Sequence, residues 1–205
     1  EFTLEQLKTK KGLFKHAVVP RNAAYIQADV RKLPFPDKFA DYIIATHVVE
    51  HIGIVDMQNT LCEWYRVMKP GGRLVITAPH FDYLVEMWRN YIVDNSPSNQ
   101  QYVNLASGFY GLQITPGEHH RCPINAKFMS WILGGAGFKK WVVRIFPHNH
   151  KVYNKYPGLK FKKGDVYRFG EIQFDIRKPY GKNKTVQKVR KTVRKNRSKR
   201  NLRKR

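Results

Sequence analysis

The chain has 205 residues, 42% of them apolar and 13% aromatic, enough to bury one core of ordinary size, so wholesale disorder is excluded. Its 38 Lys and Arg face 15 Asp and Glu, a formal net charge of +23, and 13 of those basic residues, with no acid among them, lie in 181–205. No apolar run reaches the roughly 18–20 residues of a membrane span, and two cysteines, Cys62 and Cys122, exclude a disulfide scaffold.

Residues 3–16 have a partial apolar face, Leu4, Leu7 and Phe14, and Thr3 can cap them as a helix. The segment 24–29 (AYIQAD) reads as a short strand, and LPFPD at 33–37 as a turn, because two prolines forbid helix. Residues 40–46 (ADYIIAT) form an apolar run that predicts a strand buried on both faces. In 56–68, Met57, Leu61, Trp64, Tyr65 and Met68 recur at helical spacing, and Lys69-Pro70-Gly71-Gly72 stops that helix. Residues 73–78 (RLVITA) make another strand, so strand, helix and strand form a βαβ unit with parallel strands.

The stretch 80–118 is irregular, apart from a helical aromatic piece at 81–93 and a polar run, DNSPSNQQ. Its aromatics could form a lid over a ligand or a small satellite core, and a mixture is expected in which some pack and one or two face the ligand. Residues 125–136 predict a helix capped by Asn125 and closed at Gly137. Residues 140–146 and 166–177 predict strands joined by a long hairpin loop. The run 181–205 lacks the apolar content to fold alone. It is expected to be disordered, or helical on an anionic surface, and it is a candidate contact for nucleic acid or for an anionic surface. A solubilising tail with no specific partner explains the charge equally well. The organisation expected is a domain at 1–180 and a basic tail at 181–205.

Four pieces line up in order: YIQADVRKLPFPDKFADYIIATHVVEHI (25–52), EWYRVMKPGGRLVITAP (63–79), EHHR (118–121) and GGAGF (134–138). Together they resemble a class I S-adenosylmethionine-dependent methyltransferase of the type 11 kind, over roughly residues 1–146. The resemblance implies an α/β fold. Its Rossmann-like sheet would be mostly parallel with an antiparallel last strand, flanked by helices, and here without its first strands. It also implies S-adenosyl-L-methionine as cofactor. Asp29 would accept from the adenine amine, the Val30 N–H would meet a ring nitrogen, and Leu33 and Phe35 would pack beside the base. Thr46 and His47 would border the methionine end, and Glu1 would grip the ribose hydroxyls. Asp29 also reads as an ordinary turn residue, and Glu1 as an acid near a helix start.

The family's glycine-rich loop, which belongs before Glu1, is absent from the chain, and the chain opens without Met. A fragment that binds the cofactor weakly and is inactive as written is therefore the expectation. Methyl transfer is an in-line displacement that mainly needs a positioned acceptor, with a base where the acceptor must lose a proton. His80, directly after the 73–78 strand, and His119 and His120, in the loop before the last helix, are the candidate bases, and Arg121 could bind an anionic acceptor. His47, Glu50 and His51 also resemble positions at which some quinone O-methyltransferases hold a divalent cation. Against a metal, those enzymes carry an acid where this chain has His47, so none is expected. The expected function is methyl transfer to a small-molecule, glycan or lipid-linked acceptor. The alternatives are a nucleic-acid methyltransferase docked by the tail and an inactive methyltransferase-like binding module. No oxidising compartment is required, and a cytoplasmic location is expected.

Overall fold

A computed structural model describes residues 24–89, 99–146 and 170–180. The features expected at Glu1, at 3–16, in the polar run 94–98 and in the tail lie outside these residues. The described chain forms a mixed open sheet with helices against it. Strands β1 (Ala40–Thr46), β2 (Met68–Pro79), β3 (Trp141–Phe146) and β4 (Glu171–Arg177) lie in the order β1-β2-β4-β3. β1 and β2 are parallel, and β4 enters antiparallel between β2 and β3. The helices are α1 (Ile54–Val67), α2 (Phe81–Trp88), α3 (Asn99–Tyr110) and α4 (Ala126–Gly135), and no helix among the described residues is long and apolar enough to cross a membrane.

The helix periodicity in 56–68 becomes the buried stripe Met57, Leu61 and Trp64 of α1. It meets Leu74 and Ile76 of β2, Ile172, Phe174 and Ile176 of β4, and Met129, Ile132 and Leu133 of α4 in one apolar core. Each such side chain contributes about 1.5–3 kcal/mol by leaving water. α4 begins as expected, with the Asn125 carboxamide oxygen accepting from the Phe128 N–H at 2.8 Å, and it closes on Gly137 at φ +98°.

Three expectations need correction. Residues 24–29 are exposed and form no strand. β1 is not buried on both faces: Ala45 is buried and Ile43 packs on the core, but Tyr42 and Ile44 are 39% and 42% exposed. An apolar run is buried on both faces only where a second layer lies over it, and among the described residues the core lies on the 43/45 side. The third correction concerns 80–118, which contains a second helix, α3, in place of irregular chain. α3 rests on α2 through aromatic rings, with Phe109 edge-on to Phe81 and Trp88 at 5.7 Å each and Tyr102 5.5 Å from Trp88. Those aromatics form a satellite cluster.

Pro70-Gly71-Gly72 is absorbed into β2 as a bulge, since Ala40 pairs with Met68 but Tyr42 with Arg73. Gly71 sits at φ +84°, and a Cβ on Gly72 would lie 2.9 Å from the Lys69 carbonyl oxygen. Both positions need glycine.

The amino-terminal end of the parallel strands is closely bonded. Lys178, 8% exposed, donates to the Tyr65 and Met68 carbonyls at 2.5 and 2.8 Å, and its ammonium lies 4.2 Å from the Tyr65 ring centre. It thereby caps the carboxyl end of α1 from a strand 110 residues away; burial holds its pKa below the usual lysine range. Arg66 donates to Glu63, Asp37 and the Phe35 carbonyl, while Glu63 accepts from the Leu33 N–H. The prolyl turn at 33–37 is thus fastened to α1.

Candidate active site

The opposite end of the sheet is arranged differently. β1 and β2 stop side by side, Thr46 opposite Thr77, and the chain turns sharply at His47, which adopts φ +51°. Few non-glycine residues take that conformation. The His47 N–H donates to the Thr77 carbonyl at 2.9 Å, so the turn stays fixed to β2. The turn carries the His47 ring between two carboxylates. Nδ1 is 3.0 Å from Glu50 Oε1 in the short helical turn Val49–His51, and Nε2 is 3.0 Å from Glu171 Oε1 at the start of β4. Burial opposes charge on this ring, but hydrogen bonds to Glu171 and Glu50 outweigh it and raise the pKa to about 9. At neutral pH His47 is an imidazolium donating to both acids.

Glu50 is 2% exposed and joins the His47 turn to the loop that carries EHHR. Its backbone carbonyl accepts from the Arg121 N–H at 2.7 Å and the Cys122 N–H at 3.2 Å, which brings that loop against the Val49–His51 turn. His51 Nδ1 donates to the His119 carbonyl at 3.2 Å, and His120 Nδ1 donates to the Gly108 carbonyl at 2.8 Å. The rings of His51 and His120 meet edge to face at 5.0 Å. Glycine is required at Gly111 (φ +78°), where a Cβ would collide with the Glu118 backbone. Burial lowers the pKa of His120 and pushes the Cys122 thiol up to about 11, so this cysteine is a neutral thiol.

Of the candidate bases, His80 stands directly beyond the end of β2 and is buried, with its N–H bonded to the Gly170 carbonyl at 2.9 Å. Its Nδ1 is buried without a partner, Nε2 is 3.8 Å from Asp82 Oδ2, and burial lowers its pKa. His120 is half-buried beside His51, whereas the His119 side chain is exposed, and so is Arg121. The structure therefore separates the neighbours His119 and His120 by role. One offers its backbone to His51, and the other offers its ring.

The expected cofactor residues fall into two groups. Thr46 and His47 are half-buried at the strand ends. The others lie in the 29–35 segment. Val30 and Leu33 pack against the core, and the Val30 carbonyl accepts from Trp64 Nε1 at 2.9 Å. Asp29 is exposed and ends no strand, and its carboxylate is held by Arg31 with contacts of 2.8–3.0 Å, which lowers its pKa. Phe35 stacks on Phe39 at 4.9 Å and belongs to the prolyl turn. An exposed carboxylate beside two apolar side chains suits an adenine, and the carboxylate has lone pairs beyond those Arg31 takes. Sequence reasoning missed Glu171 as a partner of His47, because the pair is 124 residues apart and only the antiparallel entry of β4 joins it.

The family model described as "Methyltransferase domain" matches residues 2–76. The chain is similar to the ubiquinone/menaquinone biosynthesis C-methyltransferase UbiE of Pectobacterium carotovorum, 33% identical over 164 residues, covering 78% of this chain and 62% of that protein. It is 29% identical over 107 residues to the enzyme of the same name from Erwinia tasmaniensis, covering 51% of this chain and 42% of that one. The chain thus spans less than two thirds of these relatives' length. Among solved structures, that of a SAM-dependent methyltransferase from Archaeoglobus fulgidus superposes with a TM-score of 0.51 at 18% identity, covering 86% of this chain and 73% of the other. That likeness is one of fold.

Proposed function

We propose, for a chain that carries a class I methyltransferase domain of a family whose cofactor is S-adenosyl-L-methionine, that the protein transfers the cofactor's methyl group to a small-molecule or lipid-linked acceptor. The observation that carries this is the strand-end rim, where Thr46 ends β1 and His47 and His80 stand just beyond the carboxyl ends of β1 and β2. Ligands of open α/β sheets bind in that position. The relatives named for C-methylation in quinone biosynthesis support a small-molecule acceptor over a nucleic acid.

When bound, the cofactor supplies an electrophilic methyl group on a sulfonium. The chain's own residues do the rest. Asp29, Val30 and Leu33 hold the adenine, and Thr46 with the fixed turn at His47 borders the methionine end. The imidazolium of His47 is balanced by Glu50 and Glu171, so it adds no net positive charge against the sulfonium. His80, neutral because it is buried, has an unpartnered Nδ1 that can take a proton from an acceptor hydroxyl or acidic carbon. His120 and the exposed His119 and Arg121 line the acceptor side. Glu1 is assigned to the ribose on the same reading.

The test is saturation-transfer NMR with S-adenosylhomocysteine on this chain. The expected result is transfer strongest at the adenine protons, weakened by Asp29→Ala, because the chain holds the adenine side and no glycine-rich loop. No transfer at any ligand proton would contradict the proposal.

A further inference from the structure

We propose that Glu50, His51 and His120 form a binding site for one divalent transition-metal ion. Each of the three offers a ligand atom, and these atoms lie within 4.8 Å of one another. The hydrogen bonds show which ring nitrogens are left to bind an ion. A carbonyl oxygen can only accept, so His51 and His120, each with Nδ1 against a backbone carbonyl, carry their proton on Nδ1. That leaves Nε2 of both rings as a lone pair. Metal-bound histidines are oriented by the same device, a donor contact from the other ring nitrogen to a carbonyl. The carboxylate is prepared likewise: Oε1 of Glu50 accepts from His47, while Oε2 is fully buried and has no partner. A buried carboxylate oxygen without a donor is costly, and a cation bound there removes the cost.

Two imidazoles and one carboxylate suit zinc or ferrous iron, and favour them over magnesium or calcium, which prefer all-oxygen shells. With ligand distances of about 2.1 Å, neighbouring ligand atoms stand about 3–3.5 Å apart, so binding draws the three inward from the present spread. Both rings are half-buried, which leaves a route for the ion. Three protein ligands leave open coordination positions. Cys122, though adjacent, is a buried neutral thiol and is no part of the set. The site does not depend on the methyl-transfer reading.

The test uses the full chain with Zn²⁺ and with Co²⁺ as a spectroscopic substitute. Long-range ¹H–¹⁵N spectra of the histidine rings should show one equivalent of Zn²⁺ shifting Nε2 of His51 and His120 while their Nδ1 stays protonated. Co²⁺ should give the visible bands of a bound ion, and Glu50→Gln, His51→Gln and His120→Asn should each weaken its binding at least about tenfold. The His16→Asn/His148→Asn/His150→Asn triple variant should bind as the parent does, which separates this site from the histidines outside the described residues. The ring spectra need no variant, so a misfolded Glu50→Gln chain does not blunt the test. Zn²⁺ shifts confined to other histidines, or no shift at stoichiometric Zn²⁺, would overturn the proposal.

Discussion

The two ends of the sheet are built to opposite rules. At the amino-terminal end of β1 and β2, long charged side chains reach across the fold to backbone carbonyls and acids, as Lys178, Arg66 and Glu63 do. At the carboxyl-terminal end and in the loops reaching it, four buried polar atoms among the described residues have no partner: Glu50 Oε2, His80 Nδ1, Thr115 Oγ1 and Glu118 Oε1. Folded proteins seldom leave such atoms unpaired. Where they gather at one edge, beside a histidine at positive φ, the unmet bonding capacity is available to a ligand. At one end of this domain long side chains pair the buried polar groups, and at the other four such atoms among the described residues stay unpaired.

That contrast can be broken by substitution. The largest loss is expected from Trp64→Ala, which removes a core ring and the bond to the Val30 carbonyl. It should cost about 3–5 kcal/mol in denaturant unfolding. A loss under about 1 kcal/mol would show that the 30–39 segment does not anchor on α1. Lys178→Met should cost about 1–3 kcal/mol, because the Tyr65 and Met68 carbonyls lose their donor while the aliphatic packing is kept. An unchanged midpoint would remove the claim that this lysine caps α1.

Much of this end was legible in sequence. The spacing of Met57, Leu61 and Trp64 gives α1 to within two residues at its start, and Asn125 with Gly137 marks both ends of α4. Such signals are local, and local signals survive in one dimension. Lys178 was not legible, because in sequence it is one basic residue among many and only the antiparallel β4 brings it to α1. α3 was missed although its signal was present. Tyr102, Leu105, Ala106, Phe109 and Tyr110 recur at helical spacing in NQQYVNLASGFY, but the polar run before them and Ser107-Gly108 among them read as loop, and ring contacts hold the helix to α2. At the rim, sequence supplied the histidines but not their partners. His47 and Glu171, or His51 and His120, meet only after the sheet and the 111–122 loop have closed.

A smaller effect is predicted from pH. Asp175 accepts from Arg73 at 2.6 and 2.8 Å and from Arg144 at 3.3 Å, and the bond to Arg73 holds its carboxyl below the usual range. A carboxyl depressed in the folded state contributes stability that is complete above its unfolded pKa of about 4 and is lost as pH falls through the folded value. Asp175→Asn should therefore flatten the acid limb of the stability–pH curve and leave the neutral-to-alkaline side parallel to that of the parent. An acid limb as steep as the parent's would refute this.

The smallest change is predicted at the rim. Thr115→Val removes a buried hydroxyl that bonds nothing, so stability should stay within about 0.5 kcal/mol of the parent or rise. A loss above about 1 kcal/mol would mean that the rim is bonded as fully as the other end.

The most direct measurement is hydrogen–deuterium exchange of the chain with and without S-adenosylhomocysteine. The division of the sheet predicts new protection at residues 29–31, 46–51 and 77–81, and none at 63–73 or 176–180. Protection at the amino-terminal end, or no change anywhere at saturating ligand, would contradict it.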